Sequence, residues 1–408
     1  MKKVFLIALI FASVCAVAAE IDPELEDELE DVNGSEKVDV LAPVDTDLNE
    51  SELTGANFSS ESVEVEEKYE KFDTVLLEAK ASEIENISEK DFIEGLEPDY
   101  ELEALLAESS IQIGSRIPSD KGNAGENVSV AVMDSGVAEH PSLELAGQRD
   151  FTGEGLGDEN GHGTHVAGIV ASTHSEYRGV AYEADLYDVK VLNSEGSGRG
   201  SNMLRGLDYI IRNDIDVAVM SLGTTLDNCN GNDALSRAVG EAVRSGVVVT
   251  ASAGNAGPGN STLTAPGCSE RALTVGSVDK SDRIATYSSR GPTSDGRVKP
   301  DVVAPGSSIV STGRDSNFVS MSGTSMAAPQ VAGQAALLVS EDSDKRPGEV
   351  KDTVKKSADD IGYHETAQGA GRINVPQSLN STAETQALEE RPSFLTRLWI
   401  WFADFFGF

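Results

Sequence analysis

Three short segments of the chain carry the side chains best suited to chemistry. Asp134 ends an apolar run and precedes a turn, His162 lies in the glycine-rich segment NGHGTHVAG, and Ser325 begins a run of small residues, SMAAPQVAG. An aspartate, a histidine and a serine can form one catalytic unit, because the imidazole accepts the serine proton and the carboxylate orients the imidazole. We therefore select these three residues as candidates for nucleophilic catalysis.

Each of these side chains also has a simpler explanation when it is taken alone. An aspartate after a strand is usually a turn former or a helix cap, and Ser325 could serve only as the N-cap of a helix. His162 could be a core residue or could pair with His165 in a metal site, but no third ligand presents itself on the same face. The helix start at Ser325 favours catalysis, because free N–H groups and the helix dipole stabilise a developing oxyanion.

Alternating strands and helices must position these segments. From about residue 109, apolar β-rich runs follow helical stretches. Near-continuous apolar strands separated by helices predict an α/β fold with a parallel sheet that is covered on both faces. Sites assemble at the carboxyl ends of such strands, which is where Asp134 stands. The predicted strands are 128–133, 186–192, 217–222, 247–251 and 273–278, and the predicted helices are 163–172, 202–213 and 232–245.

The three segments together resemble the subtilisin family of serine proteases, from about residue 110 to residue 381. The order along the chain is Asp, His, Ser, whereas the same unit occurs in other orders on other folds. The resemblance implies a three-layer α/β fold with a central parallel sheet. It also implies a secreted serine endopeptidase that works through an acyl-enzyme intermediate, with Asp134, His162 and Ser325 as its catalytic residues.

The resemblance also assigns binding residues. Asn255, in the segment ASAGNAG, looks like the asparagine that completes an oxyanion hole with the backbone N–H of Ser325. Two further segments are similar to the edge strand that pairs with the substrate backbone and to the facing wall of the pocket for the residue before the scissile bond. They contain Ser221, Leu222 and Gly223, and Ala251, Ser252, Ala253 and Gly254, respectively. Because these walls are small and apolar, we expect a preference for large apolar side chains.

Three features depart from the family pattern. Gln330 stands where many relatives have a histidine, and Thr224 replaces a common glycine, which would narrow the substrate cleft. The loop 172–179 is shorter than the usual calcium-binding loop and lacks its asparagines. We expect protein or peptide substrates and no cofactor for catalysis, we name no metal ligands, and we leave a structural calcium ion unassigned.

Two other functions remain as alternatives. A serine esterase would carry a Gly-x-Ser-x-Gly elbow, which is not what surrounds Ser325. An inactive relative that only binds or chaperones other proteins would not need Asp134, His162, Ser325 and Asn255 to be intact. The sequence therefore favours an active peptidase over both.

The N-terminus looks like a secretory signal peptide. Two lysines precede an apolar run that ends in small residues before Glu20, and this run is too short to span a bilayer. We predict a signal peptide over residues 1–19 and a secreted or cell-surface protein, while the valine before Cys15 disfavours lipidation there. Residues 20–35 are predicted to form an acidic disordered leader.

The charge is distributed unevenly along the chain. The net charge is −37, and 31 acidic residues against 5 lysines lie between residues 20 and 110. Such an acidic surface excludes nucleic acid as an electrostatic partner. The composition suits a salt-rich medium, but a merely solvated acidic surface explains it more simply.

The segment 36–105 resembles the family's inhibitory propeptide, on pattern more than on motif. Strand-like runs over 37–42 and 73–78, a short helix over 81–88 and an extended stretch over 92–100 predict a small α+β domain. The resemblance implies that this domain aids folding, inhibits the enzyme within the same chain and is removed by autocleavage after Leu105. The catalytic domain would then cover residues 106–381.

Two cysteines and an aromatic tail are the remaining features. Because Cys229 and Cys268 are bound for an oxidising compartment, we favour a disulfide over two buried free thiols. Residues 382–408 form a linker and a tail, whose aromatic end, Phe394–Phe408, is too short to cross a bilayer but suits its interface. The alternatives for the tail are packing onto the enzyme and binding of a partner. We expect a monomer.

Overall fold

The computed structural model describes residues 19–44, 62–99, 101–104 and 123–379. The chain divides into two compact units, residues 1–99 and 100–408, and each has its own core. Leu105, residues 1–18 of the predicted signal peptide and the tail Phe394–Phe408 lie outside the described residues. Among the described helices, none is long and apolar enough to span a bilayer.

The N-terminal unit is a small α+β domain. Its elements are β1 (Glu20–Ile21), α1 (Pro23–Asp31), β2 (Lys37–Pro43), β3 (Val63–Tyr69), β4 (Thr74–Lys80), a 3₁₀ turn (Ala81–Glu83), α2 (Ile84–Ser88) and β5 (Gly95–Pro98). The five strands form one sheet in the order β1-β5-β2-β4-β3. Val38, Val40 and Ala42 alternate along β2 and point into the core of this unit, as expected for a strand with one buried face.

Residues 20–35 are ordered, which corrects the expected disordered leader. β1 pairs with β5, and α1 packs on the core of the unit. Leu25 is completely buried, and Leu29 and Val32 pack against the same cluster. These apolar residues recur every three to four positions, so one face of the helix is apolar although its average composition is acidic.

The larger unit is built on a seven-stranded parallel sheet. The strands of the whole unit, in chain order, are β6 (Glu101–Ala104), β7 (Ser129–Asp134), β8 (Leu145–Asp150), β9 (Asp185–Lys190), β10 (Ser197–Arg199), β11 (Val217–Met220), β12 (Leu222–Gly223), β13 (Val248–Ser252), β14 (Leu273–Val278), β15 (Val302–Pro305), β16 (Ile309–Thr312) and β17 (Phe318–Met321). Its helices are α3 (His162–Ala171), α4 (Gly200–Arg212), α5 (Ala234–Arg244), α6 (Thr324–Glu341), α7 (Pro347–Lys356) and α8 (Glu365–Gln368). The main sheet has the order β15-β14-β13-β11-β7-β9-β8, with every neighbouring pair parallel.

Helices cover both faces of this sheet. Val130 and Val132 of β7 face a core that they share with α3 and α6. Met133 faces the other side, where a Cβ at Gly206 of α4 would lie only 2.9 Å from Met133 Cε. The glycine therefore brings α4 close to the sheet. The predicted three-layer α/β fold is confirmed.

Helix α6 runs through the centre of the core. Every residue from Thr324 to Val339 is buried, and most of these residues are small. A Cβ at Gly333 would lie 2.4 Å from Val180 Cβ, so the helix can lie this close to its neighbour only with glycine at that position. This packing fixes the start of α6, and with it Ser325, relative to the sheet.

All eight elements predicted for this unit are present, within two residues of their expected bounds. In the main sheet the prediction lacked β8 and β15, and outside it several short strands and helices were not predicted. β8 was missed because its residues are partly exposed and mostly polar. The domain boundary also differs. We expected it after residue 105, but residues 101–104 belong to the larger unit, since β6 pairs with β10 and β12.

Candidate active site

Asp134 and His162 meet at the carboxyl end of strand β7. Asp134 is the last residue of β7, and His162 is the first residue of α3. His162 Nδ1 lies 2.7 Å from Asp134 Oδ1, and both side chains are buried. A Cβ at Gly163 would lie 2.2 Å from the carbonyl oxygen of Gly136, so the glycine after the histidine lets α3 begin directly against the turn after β7.

The Asp134 carboxylate increases the basicity of His162. Burial favours the neutral imidazole, but the charge of Asp134, its hydrogen bond and the charge of Asp158 outweigh burial and raise the pKa of His162 above its usual 6.5. His162 Nε2 is buried and has no hydrogen-bond partner in the described part of the chain. This nitrogen is therefore available to accept a proton.

A second buried carboxylate, Asp158, fixes the start of α3. It accepts hydrogen bonds from the N–H groups of Gly161 (2.8 Å) and Thr164 (2.9 Å). It also accepts a hydrogen bond at 3.0 Å from the hydroxyl of Ser135, in the turn after β7. Asp158 thus ties the strand that carries the aspartate to the helix that carries the histidine. Asp158 was not among the residues selected from the sequence, although an aspartate shortly before a helix is a capping signal.

Ser325 is the second residue of α6 and is completely buried. Its hydroxyl donates to the carbonyl oxygen of Ser221 at 3.2 Å, and the Ser221 hydroxyl donates to the carbonyl oxygen of Ser325 at 2.9 Å. This reciprocal pair fixes the start of α6 beside the segment that leads into β12. His162 Nε2 has no partner among the described residues, so Ser325 and His162 are not hydrogen-bonded here. In free enzymes such a hydrogen bond often forms only with substrate, so this arrangement does not exclude proton transfer to His162.

Asn255 lies at the start of the same helix. Its Oδ1 accepts hydrogen bonds from both the N–H and the hydroxyl of Thr324, at 3.0 Å each. Its Nδ2 is buried and makes no hydrogen bond among the described residues. Because Thr324 directly precedes Ser325, the two N–H bonds of this amide are held close to the serine and are free for a negatively charged oxygen.

Strand β6 lies between β10 and β12 and is antiparallel to both. Leu222 of β12 is opposite Ala104, and Gly223 is opposite Glu103. Ser221, which contacts the start of α6, immediately precedes β12. A segment of the chain itself is therefore paired with β12 as an extended peptide pairs with the edge of a sheet.

The end of β13 forms a wall next to β12. Met220, the last residue of β11, pairs with Ala251 of β13, so the segments that follow β11 and β13 begin side by side. The hydroxyl of Ser252 donates to the carbonyl oxygen of Leu222 at 3.4 Å. We call the space bounded by residues 221–223 and 251–254 the specificity pocket, because the sequence resemblance predicts that it receives the side chain before the scissile bond. All residues of its second wall are buried, namely Ala251, Ser252, Ala253 and Gly254.

Thr264 lies between the two walls of the specificity pocket. A Cβ at Gly223 would lie 2.9 Å from Thr264 Oγ1, and a Cβ at Gly254 would lie 2.8 Å from Thr264 Cγ2. The Thr264 N–H donates to the carbonyl oxygen of Ala253 at 3.1 Å. The threonine side chain thus fills space that the two glycines leave open. Thr264 was not among the residues selected from the sequence, because only its position between the folded walls distinguishes it from an ordinary loop residue.

A disulfide joins Cys229 and Cys268, whose Cα atoms are 5.6 Å apart. Both cysteines are buried in a small apolar cluster with Ala253 and Leu263. Ala253 belongs to the specificity pocket, so the cross-link lies directly behind one of its walls.

The loop 172–179 is packed by aromatic rings. His174 and Tyr177 stack with ring centroids 5.4 Å apart, and the ring of Phe318 lies 4.6 Å from that of His174. Across the residues that the structure describes, no group of three or more histidine, cysteine, aspartate and glutamate side chains is arranged to hold a metal ion. A structural calcium ion therefore stays unassigned.

The fold and the site together define a class of protein. A parallel α/β sheet with a buried aspartate–histidine pair at its carboxyl edge, and a serine at the start of a central helix, is the arrangement of an α/β serine hydrolase. The family model described as "Subtilase family" matches residues 125–373. The chain therefore belongs to the subtilase family of serine endopeptidases.

Characterised relatives agree with this assignment. Serine protease AprX of Bacillus subtilis (strain 168) is 39% identical over an alignment that covers 62% of this chain and 66% of AprX. Subtilisin DY of Bacillus licheniformis is also 39% identical, over 62% of this chain and 92% of the relative. Subtilisin E of Bacillus subtilis (strain 168) is 40% identical, over 65% of this chain and 68% of the relative.

Proposed function

We propose that this serine endopeptidase is secreted as a precursor, matures by cutting its own chain, and cleaves peptide bonds after apolar side chains of about the size of leucine. The observation that carries the proposal is β6. Residues 101–104 precede the catalytic residues in the chain and pair with β12, the strand that begins directly after Ser221. The chain itself is therefore the first peptide available to the site.

The proposed chemistry gives each side chain a step. His162, whose pKa is raised, accepts the proton of Ser325 as the serine oxygen attacks the carbonyl carbon of the substrate. Asp134 stabilises the imidazolium, which then donates the proton to the leaving amine. Water that His162 deprotonates hydrolyses the acyl-enzyme and restores the free serine.

An oxyanion forms in both halves of this reaction and needs hydrogen-bond donors. The unpartnered Nδ2 of Asn255 and the N–H of Ser325, at the positive end of the α6 dipole, would supply them. Such a donor contributes about 3 kcal/mol to the stability of the transition state, a value that comes from subtilisin and is not calculated for this chain.

The register of β6 predicts the position of self-cleavage. Ala104 is opposite Leu222, and the strands are antiparallel, so a substrate strand bound in this register would place the residue after the Ala104 position opposite Ser221. Ser221 exchanges two hydrogen bonds with Ser325. We therefore propose that self-cleavage follows Leu105, the next residue in the sequence after β6.

Thr264 sets the size of the accepted side chain. The small walls of the specificity pocket favour an apolar group, but the threonine between Gly223 and Gly254 shortens the space. We therefore propose a preference for leucine or methionine over phenylalanine and tyrosine, which narrows the expectation of large apolar side chains. Discrimination by size in an apolar pocket is about 10-fold to 200-fold. Leu105 satisfies this preference.

The N-terminal unit is proposed to inhibit the enzyme until it is removed. This unit has a buried core of its own, around Leu25, Val40 and Leu77, which an independently folding domain requires. Its continuation, β6, occupies the place beside β12 that a substrate strand would need. A folding aid also suits a parallel sheet, whose long-range pairing forms slowly.

Processing of the full chain tests this proposal. Wild type, Ser325→Ala and Ser340→Ala would be purified and their N-termini sequenced. Ser340 is a matched control, because it lies near the other end of α6 and its hydroxyl only donates to the carbonyl oxygen of Glu126. We expect wild type and control to begin at or near residue 106, whereas Ser325→Ala should retain the N-terminal unit.

Two results would contradict self-cleavage after Leu105. One is a mature N-terminus far from residue 106. The other is normal processing of Ser325→Ala in a preparation free of active enzyme. Peptides that differ only in leucine or phenylalanine before the cleaved bond would test the specificity pocket of the same mature protein.

A further inference from the structure

A turn formed by residues 293–297 contacts both segments that the disulfide joins. The guanidinium of Arg297 donates to the carbonyl oxygen of Cys268 at 3.0 Å and also to the carbonyl oxygen of Asn230. Its Nε donates to Asp295 at 2.7 Å, which fixes the plane of the group. One side chain therefore bridges the backbone next to Cys229 and the backbone of Cys268.

The same turn holds the Cys229 segment by two further contacts. The N–H of Ser294 donates to the carbonyl oxygen of Cys229 at 3.3 Å, and the Ser294 hydroxyl donates to Asn228 Oδ1 at 2.6 Å. A Cβ at Gly231 would lie 2.8 Å from the carbonyl oxygen of Cys268 and 2.9 Å from an Arg297 nitrogen. The glycine, with φ of +80°, allows this close approach.

The two bridged segments are the continuations of the specificity pocket. Thr224, which follows β12, exchanges two backbone hydrogen bonds of 2.9 Å with Ala265. Ala265 is next to Thr264, and Cys268 lies three residues further on. Cys229 lies five residues after Thr224. The disulfide and Arg297 therefore fasten the two segments just behind the point where Thr264 enters the pocket.

We propose that the Cys229–Cys268 disulfide and Arg297 form a double clamp that holds Thr264 in place as the floor of the specificity pocket, and thereby sets which side chains the enzyme accepts. The proposal rests on the proposed function, because it concerns the same pocket. Arg297 is a positioning residue in this account, since it does not touch the substrate.

Because the disulfide and Arg297 link the same two segments, either link alone should keep these segments at their present distance. The disulfide fixes the distance between the segments covalently, and the guanidinium fixes it through hydrogen bonds to their carbonyl oxygens. With one fastening lost, the other and the Thr224–Ala265 pairing keep Thr264 between Gly223 and Gly254. With both lost, the segment 264–268 can move outward, so the pocket should deepen and admit phenylalanine.

The experiment compares four variants of the full chain after maturation. They are Cys229→Ser/Cys268→Ser, Arg297→Met, the combination of these changes, and Arg283→Met. The last is the matched control, because Arg283 likewise pairs with an aspartate, Asp279, at 2.7 Å but is exposed and belongs to neither of the segments that the disulfide joins. The readout is the ratio of kcat/KM for two peptides that differ only in leucine or phenylalanine before the cleaved bond.

We expect the wild type to prefer leucine by about tenfold or more. The cysteine variant, Arg297→Met and the control should keep this ratio within about threefold. The combined variant should lose it, mainly through a lower KM for the phenylalanine peptide. A non-additive loss of selectivity identifies a shared role in the pocket, because two independent losses of stability would change the melting temperature but not the ratio.

Several results would overturn the clamp. They are an unchanged ratio in the combined variant, an additive loss from the two single changes, or an equal loss in Arg283→Met. If the combined variant does not fold, a disulfide reductant added to folded Arg297→Met provides the same comparison once thiol titration shows that the buried disulfide is reduced. An unchanged ratio in the reduced protein overturns the clamp as well. If the wild type is active but does not prefer leucine, Thr264 does not limit the size of the accepted side chain, and the clamp has no role in selectivity. A mature wild type without peptidase activity contradicts the proposed function instead.

Discussion

Two of the buried charge clusters in the described part of the larger unit are built in opposite ways. In the active site, Asp134 and His162 are 2.7 Å apart and almost fully buried. In the second cluster, Asp301 lies 2.7 Å from Lys299 and 3.0 Å from Lys351. Asp301 and Lys299 are also buried. We call the second group the Asp301 cluster.

The clusters differ in the polar atoms that they leave without partners. Asp134 Oδ2, His162 Nε2 and Asn255 Nδ2 are buried and make no hydrogen bond within the described residues. Lys299 Nζ, in contrast, donates three hydrogen bonds, to a backbone carbonyl oxygen, a threonine hydroxyl and Asp301. A buried polar atom without a partner costs stability. The active site therefore keeps unused hydrogen-bonding capacity for a substrate, whereas the Asp301 cluster uses its capacity to hold the fold.

The largest effect is expected from Asp134→Asn. The variant removes the charge that stabilises protonated His162, so kcat should fall by about 10⁴-fold with little change in melting temperature. In the wild type, activity should rise as the pH rises through the pKa of His162, because the base must be neutral. Without Asp134 that pKa falls, so the acid limb of the pH–rate profile should move to lower pH. An unmoved acid limb would show that Asp134 does not set the basicity of His162.

Asp301→Asn should break the other cluster. Burial opposes a charge at Asp301, but Lys299 and Lys351 outweigh burial and lower the pKa of Asp301 to about 2. The variant leaves Lys299, whose pKa burial lowers to about 7 even beside Asp301, without its counter-ion in a buried site. The free energy of unfolding should therefore fall by about 3–5 kcal/mol, while the folded protein keeps its kcat.

Denaturant unfolding in the Ser325→Ala background would measure this loss without autolysis. Asp282→Asn is the matched control, because the Asp282–Arg372 pair is partly exposed, and it should cost less than about 1 kcal/mol. If Asp301→Asn and Asp282→Asn lower the free energy of unfolding equally, burial does not make the Asp301 ion pairs more important for stability than a partly exposed pair.

Two variants of Asn255 separate the role of its side-chain oxygen, which is an acceptor, from the role of its N–H bonds, which are donors. Asn255→Asp keeps the oxygen that binds Thr324 but loses the N–H bonds, and Asn255→Ala loses both. If the donor stabilises the oxyanion, each variant should lower kcat by about 10²–10³-fold, a magnitude taken from subtilisin. Asn213→Ala, at the exposed end of α4, should leave kcat unchanged. Retention of kcat in Asn255→Asp would reduce Asn255 to a support for Thr324.

The smallest effect concerns His165, three residues after His162 on the same helix. Burial, with a smaller contribution from the charge of His162, lowers the pKa of His165 to about 3. As the pH falls, His165 is protonated in the unfolded chain before it is protonated in the folded protein. The contribution of His165 to the free energy of unfolding is therefore fully present above pH 6.5 and is lost as the pH falls towards 3, by up to about 1.4 kcal/mol per pH unit. His165→Gln should flatten this part of the stability curve, as measured by urea unfolding at several pH values. A curve as steep as that of the wild type would assign the acid sensitivity to other groups.

The central strands of the main sheet could be predicted because they are buried on both faces. Val217–Met220 is a continuous apolar run, and Leu273–Val278 is buried throughout and mostly small or apolar, which is typical of such strands in an α/β chain. The N-terminal helix could not be predicted from average composition, because only Leu25 and its neighbours on one face of the helix are apolar.

The candidate catalytic residues could be selected from the sequence because each lies in a distinctive local segment. Their distances could not, since His162 meets Asp134 only when α3 and β7 are packed together. Thr264 carries no local signal at all. Its place in the specificity pocket depends on two distant glycines, Gly223 and Gly254, and therefore on tertiary structure alone.

Covalent labelling with a fluorophosphonate tests the central claim most directly, namely that Ser325 is a nucleophile activated by His162. The mature wild type would be labelled over a range of pH and then mapped by peptide mass spectrometry. We predict one adduct per chain, on Ser325, with a labelling rate that rises with pH through the raised pKa of His162, above 6.5. An adduct on another serine, no adduct on processed protein, or a labelling rate that does not depend on pH would contradict the account.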